Sequence, residues 1–363
     1  MHCASLGEFE QGHALIEMFR TQYPDWVCAL SFFSPSGYEH ARVSDPEVGR
    51  FYLPLDRTRD IETFVEALRP SVFVTVRYEF WMVLLETLRK AGVPRLVVSA
   101  HFRPDQWFFK TGAESALTVL RGLEAIGTQD EASRQLLVER GFSNSAVIGN
   151  GRADRVAELA ERAEAVPWLA DFKGTQPLMI GGSLWPEDLR RLLPLIDATP
   201  EVRWLLVPHE VDDAPLSTLL KGLGPRPYQR WTQTGGKGPE RLLILDAVGW
   251  LARCYRHADW AYIGGGYGEG IHNVLEPAAF GCPMLFGPRH HGFPEARELM
   301  ECGAAWELDQ VDVEQIRRWL VDPGFRPHAS DRARAYVERQ KGASLKALRL
   351  VERFVTDPAL SPD

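Results

Sequence analysis

The fold of this chain is indicated most strongly by residues 260–277, which read WAYIGGGYGEGIHNVLEP. A short apolar run, Trp260–Ile263, leads through a glycine-rich loop towards a helix that must begin before Pro277. Proline is tolerated in the first turn of a helix, where its missing N–H would have no partner in any case. The helix is therefore predicted to begin near Asn273, after a strand and a glycine loop.

The same stretch predicts a site for a nucleotide sugar. The first N–H groups of a helix and the positive end of its dipole can receive a phosphate. Asn273 and Glu276 are three residues apart and share one helix face, where a carboxylate could hold a diol such as ribose. A glycine-rich loop alone is equally well explained as an ordinary turn. The added His-Asn-x-x-Glu-Pro is the feature that favours a binding function.

Length and composition narrow the class of protein. A chain of 363 residues exceeds what one hydrophobic core usually serves, so two domains are predicted. The net charge of −8 argues against nucleic acid as the main partner. The five cysteines are scattered without metal-ligand spacing, so reduced thiols, a cytosolic compartment and no structural zinc are expected. Apolar runs are too short to span a bilayer, and the chain as written is predicted to be soluble.

The order of apolar and amphipathic segments predicts the architecture. Strand-like runs alternate with helical periodicity from end to end, which indicates βαβ units, parallel sheets and an α/β fold. A charged helical stretch at 155–165 and a short linker at 171–177 separate two such series, giving predicted domains at 1–165 and 166–335. Residues 228–240, rich in glycine, are predicted to form a flexible surface loop. Two doubly wound sheets would face each other across a cleft, with ligands at the carboxyl ends of their strands.

Charged residues follow the predicted strands of the first half. Glu8 begins a helix after a glycine turn, where a carboxylate can take a proton from an alcohol or simply complement the helix dipole. Arg77 and Glu79 follow a very apolar strand and are interpreted either as functional groups or as a salt-bridged pair at a helix end. Arg152, after the last strand of this half, suits an anionic ligand.

Each candidate binding residue in the second half also has an ordinary structural explanation. Ser183 precedes a helix and could bind phosphate or cap that helix. His209 follows Pro208 at a strand end, where a single histidine is more often structural than a ligand. The backbone of 248–250 could contact a base, and the ring of Trp250 could stack on it or pack into the core.

Taken in order, these blocks resemble the 3-deoxy-D-manno-octulosonic acid (Kdo) transferases of lipopolysaccharide synthesis, glycosyltransferase family 30. The motifs SLWPED, GIHN and YEFW are similar to the Bacteroidetes branch. The resemblance covers nearly the whole chain and rests on residues 4–8, 78–81, 99–103, 149–154, 183–188, 208–209, 248–250 and 273–276.

The resemblance implies a two-domain GT-B fold that binds the donor CMP-Kdo in its C-terminal half. A lipid A precursor, lipid IVA, would bind in the N-terminal half, and residues 336–363 would form a terminal helix packing back on that half. The implied reaction is an inverting single displacement that needs no metal and no further cofactor. The implied location is the cytoplasmic face of the inner membrane, with the membrane surface as a partner.

The resemblance also implies roles for individual residues. Glu8 matches the family's catalytic base, while Glu79 and Arg152 match positions assigned to transition-state stabilisation. His209 and Trp250 differ from the arginine and glutamate often found there, so backbone contacts are expected from both. The positions matching CMP contacts are Ser183, Pro208, His209, Val248, Gly249, Trp250, Asn273, Val274, Leu275 and Glu276.

The resemblance departs from the family at the start of the chain. Family members normally begin with a membrane anchor and the first strand of the N-terminal sheet, whereas here the motif containing Glu8 follows Met1 directly. Either the start is internal to a longer gene or the chain is a truncated soluble form, and the lost first strand is expected to leave a central strand unpaired. Another GT-B transferase, a sugar-nucleotide 2-epimerase or a non-catalytic nucleotide-sugar binding protein are the alternatives. A dehydrogenase is disfavoured because the first βαβ unit lacks Gly-x-Gly-x-x-Gly.

Overall fold

The computed structural model describes residues 1–110, 112–322 and 324–355. These residues form two compact units, each with its own parallel sheet. Unit 1 comprises Met1–Arg155 together with the described residues from Gln340 on, and unit 2 comprises Val156–Arg339.

Unit 1 alternates strands and helices along the chain. Its strands are β1 (Ala29–Phe32), β2 (Gly49–Tyr52), β3 (Phe73–Val76), β4 (Arg95–Ala100), β5 (Ala125–Thr128) and β6 (Ser145–Val147). Its helices are α1 (Leu6–Gln22), α2 (Pro35–His40), α3 (Thr58–Leu68), α4 (Met82–Lys90), α5 (Glu114–Arg121) and α6 (Glu131–Val138), and α7 (Gly151–Arg162) crosses into unit 2.

The sheet of unit 1 is built around a short N-terminal segment. Strands β3-β4-β5-β6 form one parallel group, and β1 pairs with β2 in parallel beside it. His2 forms parallel bridges to both Ser31 in β1 and Thr75 in β3, and so joins the two groups. The position between β1 and β3, expected to be unpaired, is thus occupied by residues 1–3.

Unit 2 contains a larger parallel sheet in the order β13-β12-β11-β7-β8-β10-β9. Its strands are β7 (Leu178–Leu184), β8 (Arg203–Pro208), β9 (Gln229–Arg230), β10 (Leu242–Ile244), β11 (Trp260–Ile263), β12 (Met284–Phe286) and β13 (Ala305–Glu307). Its helices are α8 (Pro167–Lys173), α9 (Pro186–Ala198), α10 (Asp213–Gly222), α11 (Trp231–Thr234), α12 (Leu251–Cys254), α13 (Leu275–Ala279), α14 (Pro294–Glu301), α15 (Val313–Val321) and α16 (Phe325–Gln340).

The central strands are buried on both faces, which explains why they read as continuous apolar runs rather than as alternating patterns. In β11 the side chains of Trp260 and Tyr262 enter one core cluster, while Ala261 and Ile263 enter another. Successive side chains of a strand point to opposite faces, so helices must cover both sides of this sheet.

The unit boundaries differ from the sequence expectation. The chain divides at 155/156 and 339/340, where the sequence placed the divisions at 165/166 and 335/336. Helix α7 accounts for the first difference, because it begins in unit 1 while Val156 and Ala157 are buried in the core of unit 2. The linker expected at 171–177 overlaps helix α8, whose Leu169 and Phe172 are buried in that same core.

The predicted terminal helix is interrupted. Helix α16 ends at Gln340 and a further helix, α17 (Ala343–Val355), follows. Gly342 has a φ of 89°, and its N–H donates to the Asp154 carboxylate at 2.6 Å. Helix α17 then packs with α1 in the core of unit 1 through Leu348 and Val351. Residues 356–363 lie outside the described part of the chain.

Candidate active site

Glu8 lies in the first turn of α1 and caps that helix. Its Oε2 accepts hydrogen bonds from the N–H of Ser5 at 3.0 Å and from the Ser5 hydroxyl. The bond from the Ser5 N–H is one half of a capping box. In the other half, the Ser5 side chain accepts from the backbone N–H of Glu8, the third residue of the helix. The structural role weighed from the sequence is therefore present, and it fixes the carboxylate in one orientation.

Arg77 and Glu79 lie beside Glu8 at the carboxyl end of β3. The Nη1 of Arg77 is 3.9 Å from the Glu8 Oε1, the oxygen that does not cap the helix. Arg77 has a φ of 66°, a left-handed conformation that costs an arginine about 1–3 kcal/mol and recurs at functional sites. Burial raises the pKa of the Glu79 carboxyl, and the charge of Glu8 raises it further. Two carboxyl groups and a guanidinium thus converge at this strand end.

The raised pKa of Glu79 predicts a specific pH dependence of stability. Above its ordinary value of 4.5, the folded protein retains a proton that the unfolded chain has released. The free energy of unfolding should therefore fall as the pH rises from 4.5 through the folded-state pKa. Denaturant titrations should show that Glu79→Gln removes this fall and gains stability relative to wild type with rising pH.

Glu86 provides the control, because the hydrogen bond from Arg89 lowers the pKa of its carboxyl. At neutral pH, Glu86→Gln should have a lower free energy of unfolding than wild type. This difference should vanish as the pH falls, which is the opposite trend to that of Glu79→Gln. An unchanged profile in Glu79→Gln contradicts the placement of Glu79 in this cluster.

Arg152 reaches the start of α1 from the neighbouring helix α7. Its Nη2 donates to the Gly7 carbonyl at 3.1 Å, and its Nε is 3.8 Å from a Glu10 carboxylate oxygen. Helix α7 approaches α1 closely, since a Cβ on Gly151 would lie 2.1 Å from the Gln11 carbonyl oxygen. The three catalytic candidates Glu8, Glu79 and Arg152 therefore lie around one end of unit 1.

Both arginines have hydrogen-bonding capacity left over. Within the described part of the chain, the Nε atoms of Arg77 and Arg152 are buried and have no hydrogen-bond partner. A buried donor without a partner costs about 1–3 kcal/mol, more when it is charged. An anionic ligand would supply acceptors to both guanidinium groups.

In unit 2, the glycines after β11 are required by close packing. A Cβ on Gly264 would lie 2.1 Å from the Ser183 carbonyl oxygen, and one on Gly266 would lie 2.6 Å from the Cα of Gly287. The packing reason for these glycines therefore holds whatever the loop binds. The loop lies against the end of β7, where Ser183 has a φ of 55°.

Asp188 holds this glycine loop in place, and sequence reasoning assigned it no role. Its carboxylate accepts from the N–H of Gly265 at 2.8 Å, from the N–H of Trp185 at 3.0 Å and from the Tyr262 hydroxyl at 2.8 Å. Asp188 is 1% exposed, and burial raises the pKa of its carboxyl against the opposing effect of these hydrogen bonds. The sequence signal was an acid in the third position of a helix that begins with Pro186.

A stack of three rings lies beside the loop. The rings of Trp185 and His209 are 4.5 Å apart and nearly parallel, and those of His209 and His272 are also 4.5 Å apart. Burial and the neighbouring His209 lower the pKa of His272 to about 4, so its imidazole is neutral at pH 7. His209, at the end of β8, is thereby brought to the segments that follow β7 and β11. Trp185 and His272 join the site although neither was a predicted site residue.

Helix α13 begins two residues later than predicted. Leu275 is its first helical residue, and Pro277 lies in its first turn. The Asn273 side chain accepts from the N–H of Leu275 at 3.0 Å and donates to the Glu276 carboxylate at 3.2 Å. Asn273 and Glu276 thus lie together, with Asn273 stabilising the helix start.

In segment 248–250, the aromatic residue packs against the core, which is the alternative to stacking on a base. Val248 is 78% exposed, and Gly249 has a φ of 84°. The ring of Trp250 lies 6.0 Å from that of Trp168 and 5.5 Å from that of Trp231, within the periphery of the unit 2 core. A nucleotide contact from this segment would therefore come from the backbone or from Val248.

Known proteins resemble this chain along its length. A family model described as 3-deoxy-D-manno-octulosonic-acid transferase (kdotransferase) matches residues 1–155, which include Glu8, Glu79 and Arg152. The 3-deoxy-D-manno-octulosonic acid transferase of Chlamydophila psittaci is 28% identical over 352 residues, covering 94% of this chain and 79% of that protein. The family model thus covers the N-terminal part of the chain, and relatives of this kind align over most of its length. The predicted family and the predicted enzyme class, a glycosyltransferase, are confirmed.

Solved structures show the fold. A putative UDP-N-acetylglucosamine 2-epimerase from Listeria monocytogenes has a TM-score of 0.65 at 13% identity, covering 97% of this chain and 94% of that one. MurG from Acinetobacter baumannii has a TM-score of 0.57 at 15% identity, covering 97% and 98%. This likeness confirms the GT-B fold class predicted for the chain.

The described residues contain neither a candidate metal site nor a candidate membrane-spanning helix. No cluster of three or more His, Cys, Asp or Glu side chains in residues 1–110, 112–322 and 324–355 is arranged to hold a metal ion. Within the same ranges, no helix combines the length and apolar character needed to cross a membrane.

Proposed function

We propose that this protein moves Kdo from CMP-Kdo to the lipid A precursor lipid IVA, in an inverting single displacement at the cytoplasmic face of the inner membrane. The observation that carries the proposal is the convergence of Glu8, Arg77 and Glu79 within the residues that match the Kdo transferase family model. Unit 1 would hold the acceptor and the base, and unit 2 would hold the donor.

Glu8 is proposed as the general base. The Ser5 hydrogen bonds fix its carboxylate and leave Oε1 outside the capping box. Oε1 would take the proton of the acceptor hydroxyl as that oxygen bonds to the anomeric carbon of Kdo. The bond from that carbon to the phosphate breaks with its electron pair, and CMP departs. A positioned base of this kind contributes typically about 10²–10⁴-fold.

The neighbouring groups suit the charges of this reaction. Arg77 and Arg152 carry buried Nε donors that could bind the carboxylate of Kdo or a phosphate of the acceptor. Glu79 keeps its proton to higher pH than an exposed glutamate because burial raises its pKa. A protonated carboxyl can donate a hydrogen bond to charge that develops in the transition state.

Unit 2 offers the features that a cytidine monophosphate would need. The loop held by Asp188 and the start of α13 present backbone groups, and Glu276 presents a carboxylate for the ribose hydroxyls. The departing group carries a single phosphate, so we propose that backbone groups and arginine suffice without a metal or other cofactor.

Removing the Glu276 carboxylate should weaken the nucleotide site selectively. Charge-assisted hydrogen bonds contribute about 1.5–3 kcal/mol each, so Glu276→Ala should weaken CMP binding by that amount in calorimetry. Glu269→Ala is the matched control, because Glu269 is an exposed glutamate of the same glycine-rich loop. Equal CMP affinity in both variants would remove Glu276 from the nucleotide site, and preference of the wild type for UDP over CMP would contradict the proposed donor.

A further inference from the structure

The imidazole of His272 in unit 2 is held by contacts on several sides. The indole N–H of Trp185 donates to its Nε2 at 3.4 Å. A Cβ on Gly265 would lie 3.3 Å from its Cδ2, and the ring of His209 lies 4.5 Å from it with an angle of 22° between the planes. The backbone N–H of His272 donates to the Gly264 carbonyl at 3.2 Å. Protein contacts therefore fix both the position and the orientation of this ring.

The contact with Trp185 also fixes the tautomer of His272. An indole N–H can donate a hydrogen bond and cannot accept one, so Nε2 must be the ring nitrogen that carries no proton. In a neutral imidazole the proton then lies on Nδ1. Protonation of Nε2 would bring two N–H donors against each other, which opposes the charged form. Trp185 therefore selects the neutral tautomer with a proton on Nδ1.

The Nδ1–H group points away from the contacts that hold the ring. Nδ1 lies opposite the bond between Nε2 and Cδ2, and these are the two atoms that face Trp185 and Gly265. The described residues give the His272 ring one hydrogen bond, the one at Nε2. A donor of fixed direction beside the glycine-rich loop is thus left for a ligand.

We propose that His272 is a catalytic residue whose Nδ1–H donates to the phosphate of the departing CMP, and that Trp185 is the positioning residue that keeps the proton on Nδ1. This inference rests on the proposed function, which places CMP at the glycine-rich loop. The bond between the anomeric carbon of Kdo and the phosphate oxygen breaks, and its electron pair goes to that oxygen. The proton stays on Nδ1, so the imidazole is neutral throughout the step.

The reaction distinguishes the phosphate from the other anion of the donor, the carboxylate of Kdo. The phosphate gains a negative charge as CMP departs, whereas the charge of the carboxylate does not change. A hydrogen bond to the phosphate therefore strengthens in the transition state and lowers the barrier. Because burial and the neighbouring His209 lower the pKa of His272 to about 4, the neutral donor is present throughout the neutral pH range.

Substitutions of His272 test its role as a donor. An asparagine can place an amide N–H near the position of Nδ1, a glutamine places it near that of Nε2, and an alanine offers none. We expect His272→Ala and His272→Gln to lower the kcat of Kdo transfer by about 10–100-fold, the usual worth of a hydrogen bond to a charged group. His272→Asn should recover most of this loss.

Binding measurements identify the acceptor of this hydrogen bond. Calorimetry should show that His272→Ala weakens the binding of CMP by about tenfold. The same variant should bind cytidine, which lacks the phosphate, as tightly as the wild type does. A loss of transfer with unchanged CMP binding would assign the donor to the Kdo carboxylate and overturn the proposal.

Trp185→Phe tests the positioning role. Phenylalanine keeps an aromatic ring beside His209 and removes the donor to Nε2, so both neutral tautomers of His272 become available. The nitrogen chemical shifts of this imidazole should show the Nδ1–H form in the wild type and a mixture in the variant. The kcat of transfer should fall by about 3–10-fold. Trp168→Phe is the matched control, because the buried Nε1 of Trp168 has no hydrogen-bond partner among the described residues; it should change neither the tautomer nor kcat.

Two further results would overturn the proposal. Equal kcat values in His272→Ala and the wild type would remove His272 from the reaction. An unchanged tautomer in Trp185→Phe would remove Trp185 as its positioning residue. The comparison of CMP with cytidine does not depend on transfer, so absence of transfer to lipid IVA by the wild type, which contradicts the proposed function, is distinguished from failure of this inference.

Discussion

Glu8→Gln should reduce transfer to lipid IVA by at least about two orders of magnitude and leave CMP binding nearly intact. Glutamine keeps the size of the side chain and can still accept from Ser5, because a capping box is made by either Glu or Gln. It cannot take a proton at neutral pH, so the contribution of the base, about 10²–10⁴-fold, is lost. The measurement is the rate of Kdo transfer together with CMP calorimetry.

Ser5→Ala separates the two roles of Glu8. This variant removes the capping hydroxyl and keeps the carboxylate, and it should cost about 1 kcal/mol of stability. It should retain far more activity than Glu8→Gln. Near-normal turnover in Glu8→Gln would exclude Glu8 as the base, and an equal loss in Ser5→Ala would reduce Glu8 to its capping role.

The second large effect is expected at Asp188. Asp188→Ala leaves two buried donors, the N–H of Gly265 and the Tyr262 hydroxyl, without their acceptor, together with the part-buried N–H of Trp185. Each unpaired buried donor costs about 1–3 kcal/mol, so the free energy of unfolding should fall by about 2–4 kcal/mol. The glycine loop loses its anchor, and CMP binding should weaken by at least about tenfold.

Asp188→Asn should be much milder. The amide oxygen can accept from both N–H groups while the amide nitrogen donates to the Tyr262 hydroxyl, which is able to rotate and accept. Chemical denaturation and CMP calorimetry of both variants check the order of effects. If Asp188→Ala is as stable as the wild type and binds CMP equally well, Asp188 does not hold the loop.

The central strands could be predicted from the sequence because burial on both sheet faces demands continuous apolar runs. The strand at Trp260–Ile263 was placed at its observed bounds, and Pro277 located the start of α13 to within two residues. Both depend on local rules, namely the apolar content of a buried strand and the position that proline can occupy in a helix.

Tertiary contacts explain what local rules missed. Residues 228–240, predicted as a flexible loop, contain β9 and α11, because the buried Asp246 carboxylate accepts from Arg230 and Thr232. The break before α17 depends on Asp154, which is distant in sequence and accepts from Gly342. The glycines of 235–238 favoured a loop, and the good helix formers around 342 favoured an unbroken helix.

The candidate site was predicted unevenly for the same reason. Strand ends suggested Glu8, Glu79, Arg152 and His209 as candidates, since the carboxyl ends of parallel strands gather on one edge of each sheet, and the helix start before Pro277 suggested Asn273. Asp188 was missed because its partners Gly265 and Tyr262 come from another strand and loop. For Trp250 the default expectation for an aromatic residue, packing into the core, was correct, since its ring packs against other tryptophans.

Transfer of Kdo to lipid IVA is measured most directly as the mass of the product formed when the purified protein is incubated with CMP-Kdo and lipid IVA. We expect lipid IVA that has gained at least one Kdo residue, with release of one CMP per residue added and no product from Glu8→Gln. Hydrolysis of CMP-Kdo without a mass gain on lipid IVA, or no consumption of CMP-Kdo by a protein that binds CMP, would contradict the proposed function.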